Sequence, residues 1–120
     1  MEPREQTKNK TALHYALTLR LYGDEKCFGP GIAALLHGVE KTHSLRQAAI
    51  EMDMAYSKAW RVLKTAEASL GFPLLSSTTG GKGGGGAELT PAAKDLLARY
   101  EGFSDAVKGY ADEVFLDYFG

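Results

Sequence analysis

Residues 76–91 read SSTTGGKGGGGAELTP, and this stretch decides how the rest of the chain is interpreted. Its centre, from Gly80 to Gly86, contains six glycines and Lys82. Glycine brings no side chain to a core and loses the most backbone freedom on folding, so the run predicts an exposed loop tip with one cation. Residues 74–76 and 87–89 on either side have strand-like composition. The stretch therefore predicts a β-hairpin with a basic tip.

The segment upstream of this hairpin predicts two short helices joined by a tight turn. Ser44 is a good N-cap for the first of them, because its hydroxyl accepts an orphan backbone N–H. Residues 52–54 form the turn, where Asp53 tolerates a left-handed backbone better than most residues do. The next helix is predicted from about Ala55 to Leu70. A helix-turn-helix followed by a hairpin with a basic tip is the layout of a winged-helix DNA-binding domain, and we call that hairpin the wing.

The helix predicted over residues 55–70 has an apolar face and a cationic face. The apolar stripe consists of Ala59, Trp60, Leu63, Ala66 and Leu70. This spacing places Trp60 in the core rather than on a surface that stacks against bases. The opposite stripe consists of Ser57, Arg61, Lys64 and Ala68, with Lys58 beside it. A solvated amphipathic helix normally carries mixed charges there, so this stripe predicts contact with DNA.

A strand and two further helices complete the predicted architecture. Polar and apolar residues alternate over residues 12–22, which predicts a half-buried strand, and residues 26–28 are placed to pair back with it. Pro30 opens a first helix, and Thr90 with Pro91 opens a long last one. The predicted fold class is mainly α with small β (α+β): a winged helix-turn-helix with an N-terminal strand or hairpin. We expect a flexible N-terminus over residues 1–11 and one domain over residues 12–120.

The last helix carries an apolar seam with the four-and-three spacing of a heptad repeat. Its members are Leu96, Tyr100, Phe103, Val107, Tyr110 and Val114. Gly102 and Gly109 lie beside the seam and allow close backbone approach, either to the chain's own first helix or to a second subunit. We expect a homodimer whose interface also includes the apolar face of the first helix, formed by Ile32, Leu35 and Leu36.

The formal net charge of −1 conceals a separation of charge along the chain. Residues 41–82 carry a net charge of +3, whereas residues 87–120 carry −4. The local field on one face matters more for a polyanionic partner than the total charge does. We therefore expect the acidic C-terminal part to face away from DNA.

Other functions find little support in the sequence. Cys27 is the only cysteine, which excludes an internal disulfide and fits a reducing compartment. No apolar run approaches the roughly 18 residues of a membrane span, and the polar residues 1–10 lack a secretory signal, so we expect a cytoplasmic protein without membrane contact. Lys82 is followed by glycine, not by the serine or threonine of a nucleotide-binding loop. We expect no enzyme activity, no cofactor and no small-molecule effector. We also expect no metal site, since His37 and His43 lack further ligands at metal-binding spacing.

Three segments carry a resemblance to a known family. They are SLRQAA from Ser44 to Ala49, Tyr56 with Ala59–Trp60, and TGGKGGGGAELT from Thr79 to Thr90. In this order they make the chain, from about Leu17 to Phe103, similar to the N-terminal DNA-binding domain of the molybdate-responsive ModE family, with a helix-turn-helix like the LysR type. The resemblance implies a bacterial transcriptional regulator that binds a two-fold-related operator as a homodimer.

The chain departs from the family pattern in two places. Asp53 stands where the family usually has glycine, and Ala55 and Ser57 stand where it has serine and lysine, with a lysine displaced to Lys58. These differences put the operator sequence in doubt. The family's full-length regulators also carry C-terminal molybdate-binding domains, whereas this sequence ends at Gly120, so molybdate sensing is not expected of this chain.

The cationic face and the resemblance together define the expected contacts with double-stranded DNA. The residues are Ser44, Arg46, Tyr56, Ser57, Lys58, Arg61, Lys64, Thr79 and Lys82. Ser57, Lys58 and Arg61 are expected in the major groove. Tyr56 and Lys64 are expected on the backbone, and Lys82 at an adjacent minor groove or phosphate.

Two alternatives remain open from the sequence. The chain could be a winged-helix module that binds a protein partner through its third helix or its aromatic C-terminal seam. The less favoured alternative for the wing is a plain connector between two strands. The salt dependence of binding distinguishes a DNA-binding domain from a module that binds a protein partner. Contacts to phosphate release counterions, so binding to DNA weakens steeply as the ionic strength rises.

Overall fold

The computed structural model describes residues 13–78 and 86–120. Its elements are β1 (Leu21–Tyr22), β2 (Lys26–Phe28), α1 (Pro30–Thr42), α2 (Leu45–Glu51), α3 (Tyr56–Leu70), β3 (Leu75–Thr78), β4 (Gly86–Leu89) and α4 (Pro91–Phe119). Both hairpins are antiparallel, and the wing register pairs Leu75 with Leu89 and Thr78 with Gly86. The predicted winged helix-turn-helix with small β content is confirmed. The predicted flexible N-terminus and most of the glycine run lie outside the described residues.

The helices begin and turn at the residues that the sequence indicates. The Ser44 hydroxyl accepts the Gln47 N–H at 3.0 Å, and the Thr90 hydroxyl accepts the Ala93 N–H at 3.0 Å. Asp53 has φ of 56°, the left-handed conformation expected of the turn between α2 and α3. The short-range signals for the helix-turn-helix and for the start of α4 are therefore confirmed.

The predicted strand over residues 12–22 is wrong for most of its length. Residues 13–20 form no strand, and only Leu21–Tyr22 pairs with β2. The alternation itself is real, because the odd-numbered residues from Tyr15 to Leu21 are half-buried while the even-numbered ones are exposed. This segment contacts α4 instead of a neighbouring strand: the Tyr100 hydroxyl donates to the Leu19 carbonyl at 2.8 Å.

The core is centred on α1, and this corrects the predicted dimer surface. Ile32, Leu35 and Leu36 are only 4%, 0% and 0% exposed. They pack with Phe28 from β2, with alanines of α2 and α3 and with residues of the wing and α4. Because the single apolar face of α1 is consumed by the chain's own core, these three residues are not available to a second subunit.

The predicted seam of α4 divides into a buried part and an exposed part. Tyr100 is buried with its ring 5.1 Å from that of Phe28, and Leu96 is partly buried against the same core. Further along the helix, Phe103 and Tyr110 remain 50% and 69% exposed, and Val107 is half-buried. Tyr100 therefore belongs to the core of one chain, which corrects its assignment to a dimer interface, whereas the role of the half-buried Leu96 at such an interface stays a prediction.

The two glycines of α4 do not mark a close helix contact within the chain. A Cβ atom added at Gly102 or Gly109 would have no neighbouring atom within 4 Å. The face of α4 that carries these two glycines is therefore open and does not pack against α1. Besides the apolar core that α1 and α4 share, a polar contact joins the two helices: His37 on α1 and Glu101 on α4 approach to 2.6 Å, and this hydrogen bond raises the pKa of His37.

Candidate nucleic-acid interface

An open groove of about 390 Å³ lies between α3 and the wing. Its rim and floor include Ser44, Arg46, Tyr56, Trp60, Lys64, Ser76, Ser77, Gly86 and Ala87. Helix α2, helix α3 and both strands of the wing thus contribute to one concave surface. Four of the residues predicted to contact DNA lie on it.

Two exposed stripes run side by side along α3. Tyr56, Trp60 and Lys64 repeat every four residues and line the groove. Ser57 and Arg61 form the neighbouring stripe and border a shallow hollow of about 360 Å³ together with Tyr56 and Trp60. Lys58 is exposed but lines neither depression.

Two aromatic rings hold cations over the groove. The Arg46 guanidinium from α2 lies 4.4 Å from the centre of the Tyr56 ring, and Lys64 Nζ lies 5.5 Å from that of Trp60. Such contacts contribute about 0.5–1 kcal/mol each at exposed sites. They restrict the long side chains, so the positive charges are placed before any ligand arrives.

The wing is attached to the helix-turn-helix by backbone hydrogen bonds. The Ala87 N–H donates to the His43 carbonyl at 3.0 Å, where α1 ends. A Cβ atom at Gly86 would lie 2.6 Å from that same carbonyl oxygen, so this close approach requires glycine. Just before β3, the Glu67 carboxylate of α3 accepts the Leu74 N–H at 2.7 Å and also binds Lys64 at 3.2 Å. These contacts fix the distance between the wing and α3.

The surface has an excess of positive charge. Lys64 is paired with Glu67, but no carboxylate within residues 13–78 and 86–120 forms an ion pair with Arg46, Lys58 or Arg61. In the same part of the chain, no cluster of three His, Cys, Asp or Glu side chains could hold a metal ion. No described helix has the length and apolar character needed to cross a bilayer. The arrangement is suited to an anion that spans both α3 and the wing.

Comparison with known proteins decides the family. Residues 33–94, about half of the chain, match the model of the bacterial regulatory helix-turn-helix proteins of the lysR family. The chain belongs to this family. The matched residues include α2, α3 and the wing, which are the elements that form the groove.

Similar proteins share this part of the LysR-family chain. The molybdenum transport protein ModE of Herbaspirillum seropedicae is 45% identical over 65 residues, which cover 54% of this chain and 24% of that protein. The DNA-binding transcriptional dual regulator ModE of Escherichia coli K12 is 34% identical over 86 residues, covering 71% and 32%. The molybdenum-pterin-binding protein MopB of Rhodobacter capsulatus is 40% identical over 67 residues, covering 56% and 25%. The matched region spans only about a quarter to a third of each relative's length.

A solved structure shares the fold of this LysR-family domain. The CbnR_DBD–DNA complex contains a chain that superposes with a TM-score of 0.56, covering 73% of this chain and 95% of that one. The two sequences are 19% identical. At this identity the likeness supports the architecture, and the contacts must be argued from this chain's own residues.

The interpretation of Trp60 as a core residue is wrong. Its side chain is 49% exposed and lines both the groove and the hollow, while Ala59, Leu63 and Ala66 fill the interior. Spacing alone did not reveal this, because Trp60 lies next to Ala59 at the edge of the apolar stripe. The useful signal is the repeat of Tyr56, Trp60 and Lys64 at intervals of four residues, which places Trp60 on an exposed stripe.

The other site predictions of this LysR-family chain divide into four groups. Ser44, Arg46, Tyr56 and Lys64 line the groove, whereas Ser57 and Arg61 border the hollow. Lys58 stands apart on the exposed surface of α3. Thr79 and Lys82 lie outside the described residues, so their roles stay predictions.

Proposed function

We propose that this chain is the DNA-binding domain of a bacterial transcriptional regulator that acts in the cytoplasm. The observation that carries the proposal is the groove between α3 and the wing, with Arg46 and Lys64 held over it by aromatic rings. In this hypothesis α3 enters the major groove, which is about 12 Å wide and admits a helix. The wing then lies against the neighbouring backbone.

The roles of individual residues follow from their places on this surface. Ser57, Lys58 and Arg61 lie in the first two turns of α3, the part of a recognition helix that meets base edges. Arg46 and Lys64 sit over the groove, where a phosphate could pass between α3 and the wing. Tyr56 supports Arg46, and we assign Thr79 and Lys82 to a phosphate or minor groove next to the wing.

Ser44 joins the phosphate contacts through its free hydrogen. Its hydroxyl oxygen accepts the Gln47 N–H as the cap of α2, which leaves the O–H able to donate. It also lines the groove beside Arg46. A Ser44 hydroxyl would therefore both begin α2 and bond a phosphate oxygen.

We further propose that the domain binds DNA as a homodimer through the exposed part of α4. Phe103, Val107 and Tyr110 keep the four-and-three spacing, and the open sides of Gly102 and Gly109 leave room for a second helix. A row of exposed apolar side chains of this kind is typical of a protein interface. Two helix-turn-helix units would then contact half-sites about one helical turn apart.

Replacing Phe103 with glutamate is expected to weaken self-association at least severalfold, because the carboxylate would have to be buried in an apolar interface. Sedimentation equilibrium at micromolar concentration measures the change. Lys108→Glu is the control, since it adds a carboxylate to α4 away from the row of Phe103 and Tyr110. A parent chain that sediments as a 13.0 kDa monomer would contradict the dimer.

The proposed function is tested by selection. The purified chain is used to enrich duplexes of about 30 base pairs from a random library, long enough for two half-sites one turn apart. We expect a two-fold-related motif to be recovered. A pool that stays random after repeated rounds would contradict sequence-specific binding.

A further inference from the structure

A second depression, the hollow between Tyr56, Ser57, Trp60 and Arg61, lies beside the groove on α3. It has a volume of about 360 Å³ and opens on the face of α3 that is proposed to enter the major groove. Trp60 is 49% exposed there and Tyr56 is 39% exposed. Two partly exposed aromatic rings thus meet a serine and an arginine on one surface.

The core beneath α3 is complete without the Trp60 side chain. The interior beneath it is filled by Ala59, Leu63 and Ala66, each no more than 2% exposed. A large aromatic side chain left half in water loses the stabilisation that full burial would bring. Its position on the surface is therefore better explained by a ligand than by packing.

The surroundings of Trp60 indicate what kind of ligand would fit. Lys64 lies over the indole ring, and Lys64 lines the groove but not the hollow. The surface of the hollow is mainly apolar, with Trp60 and Tyr56 lined up beside Arg61 and Ser57. The hollow therefore offers an apolar floor next to hydrogen-bond donors.

Base edges in the major groove offer one apolar group, the C5-methyl of thymine. We infer that Trp60, together with Tyr56, contacts a thymine methyl group in each half-site, while Arg61 bonds an adjacent base. This inference rests on the proposed function. It makes Trp60 a residue that determines specificity, in addition to the polar residues predicted from the sequence.

Replacing thymine by uracil tests the contact, because the two bases differ only in this methyl group. In a duplex recovered by selection, each thymine is replaced in turn by uracil, and affinity is measured by fluorescence anisotropy. The parent chain is expected to lose affinity about two- to tenfold at one thymine per half-site. Trp60→Ala is expected to bind the thymine and uracil duplexes equally well, so the two losses are not additive.

Two controls separate recognition from folding and from general weakening. Ile50→Ala removes a side chain of α2 that is 60% exposed and borders neither the groove nor the hollow, so it should keep the full uracil penalty. Trp60→Phe keeps an aromatic surface and should keep part of the penalty. Melting curves of all three variants should lie close to that of the parent, since none of these side chains is buried.

A uracil penalty that persists unchanged in Trp60→Ala would overturn the inference, and so would a selected site in which every thymine tolerates uracil. In both cases the proposed function would stand, because a site was recovered and bound. Failure to recover any site would overturn both together. Loss of affinity in Trp60→Ala at every duplex, with the uracil penalty intact, would assign Trp60 to the support of Lys64 instead.

Discussion

Arg61→Ala is expected to cost about 1–3 kcal/mol of binding free energy at a selected site, or roughly 5- to 150-fold in affinity, because a bidentate contact to a base edge would be lost. Arg61 lies in the exposed hollow of α3, and no described carboxylate forms an ion pair with it, so its guanidinium is free to reach a base. The loss should be much smaller on unrelated DNA. Anisotropy titrations on the selected and a scrambled duplex measure both values.

Lys64→Ala provides the matched comparison on the same helix. Lys64 lies over the groove between α3 and the wing, where a phosphate contact is expected. Loss of the Lys64 side chain should weaken binding to all sequences by a similar factor and reduce the salt slope by about one for each bound subunit, or about two for the dimer. If Arg61→Ala and Lys64→Ala have the same effect on every duplex, the base and phosphate roles have been assigned wrongly.

Gly38→Ala is expected to destabilise the fold by about 1–3 kcal/mol, although alanine is normally the better helix former. An added Cβ would lie 2.7 Å from the Cβ atom of Ala48 and 3.2 Å from its Cα. Ala48 is 1% exposed, so α2 has no room to move aside without disturbing the core. Urea denaturation of the parent and the variant measures the change in the free energy of unfolding.

Gly31→Ala in the same helix is the control. A Cβ atom there would meet nothing within 4 Å, so the substitution should be neutral or stabilise by up to about 1 kcal/mol. If both substitutions stabilise the chain equally, the close crossing of α1 and α2 is not present in the folded protein.

Features with local causes could be predicted from the sequence. The helix-turn-helix follows from the Ser44 cap and from the left-handed turn at Asp53, and α4 begins where Thr90 and Pro91 place it. These signals act over a few residues, so no knowledge of the tertiary structure was required. The close approach of Gly38 on α1 to Ala48 on α2 explains why small residues occupy both positions.

The sequence does not predict which element of the protein packs against a given apolar face. The periodicity of α1 marks Ile32, Leu35 and Leu36 as a buried face, but it does not distinguish the chain's own core from a second subunit. Residues 13–20 alternate because they pack along α4, which gives the same pattern as a strand. The spacing of apolar residues therefore indicates which face of an element is buried, but it does not identify the element or subunit that packs against that face.

In the candidate site, too, contacts between different helices could not be predicted from the sequence. Charge and position singled out Arg46, Lys64 and Arg61, but the contact between Arg46 and Tyr56 joins two helices and requires the fold. Trp60 was misplaced because a large apolar residue beside a core stripe is normally buried. In the structure Trp60 is 49% exposed and lies beneath Lys64 at the edge of the groove.

The dependence of affinity on salt is the decisive measurement of whether α3 and the wing bind DNA. Anisotropy titrations of the parent chain would compare a selected duplex with a scrambled one at several salt concentrations. If Arg46 and Lys64 of two subunits neutralise about four phosphates, a plot of log affinity against log salt should have a slope of about −3 to −4 or steeper, with the selected duplex bound more tightly throughout. A flat plot, or equal affinity for the two duplexes at every salt concentration, would contradict the assignment of α3 and the wing to specific DNA binding.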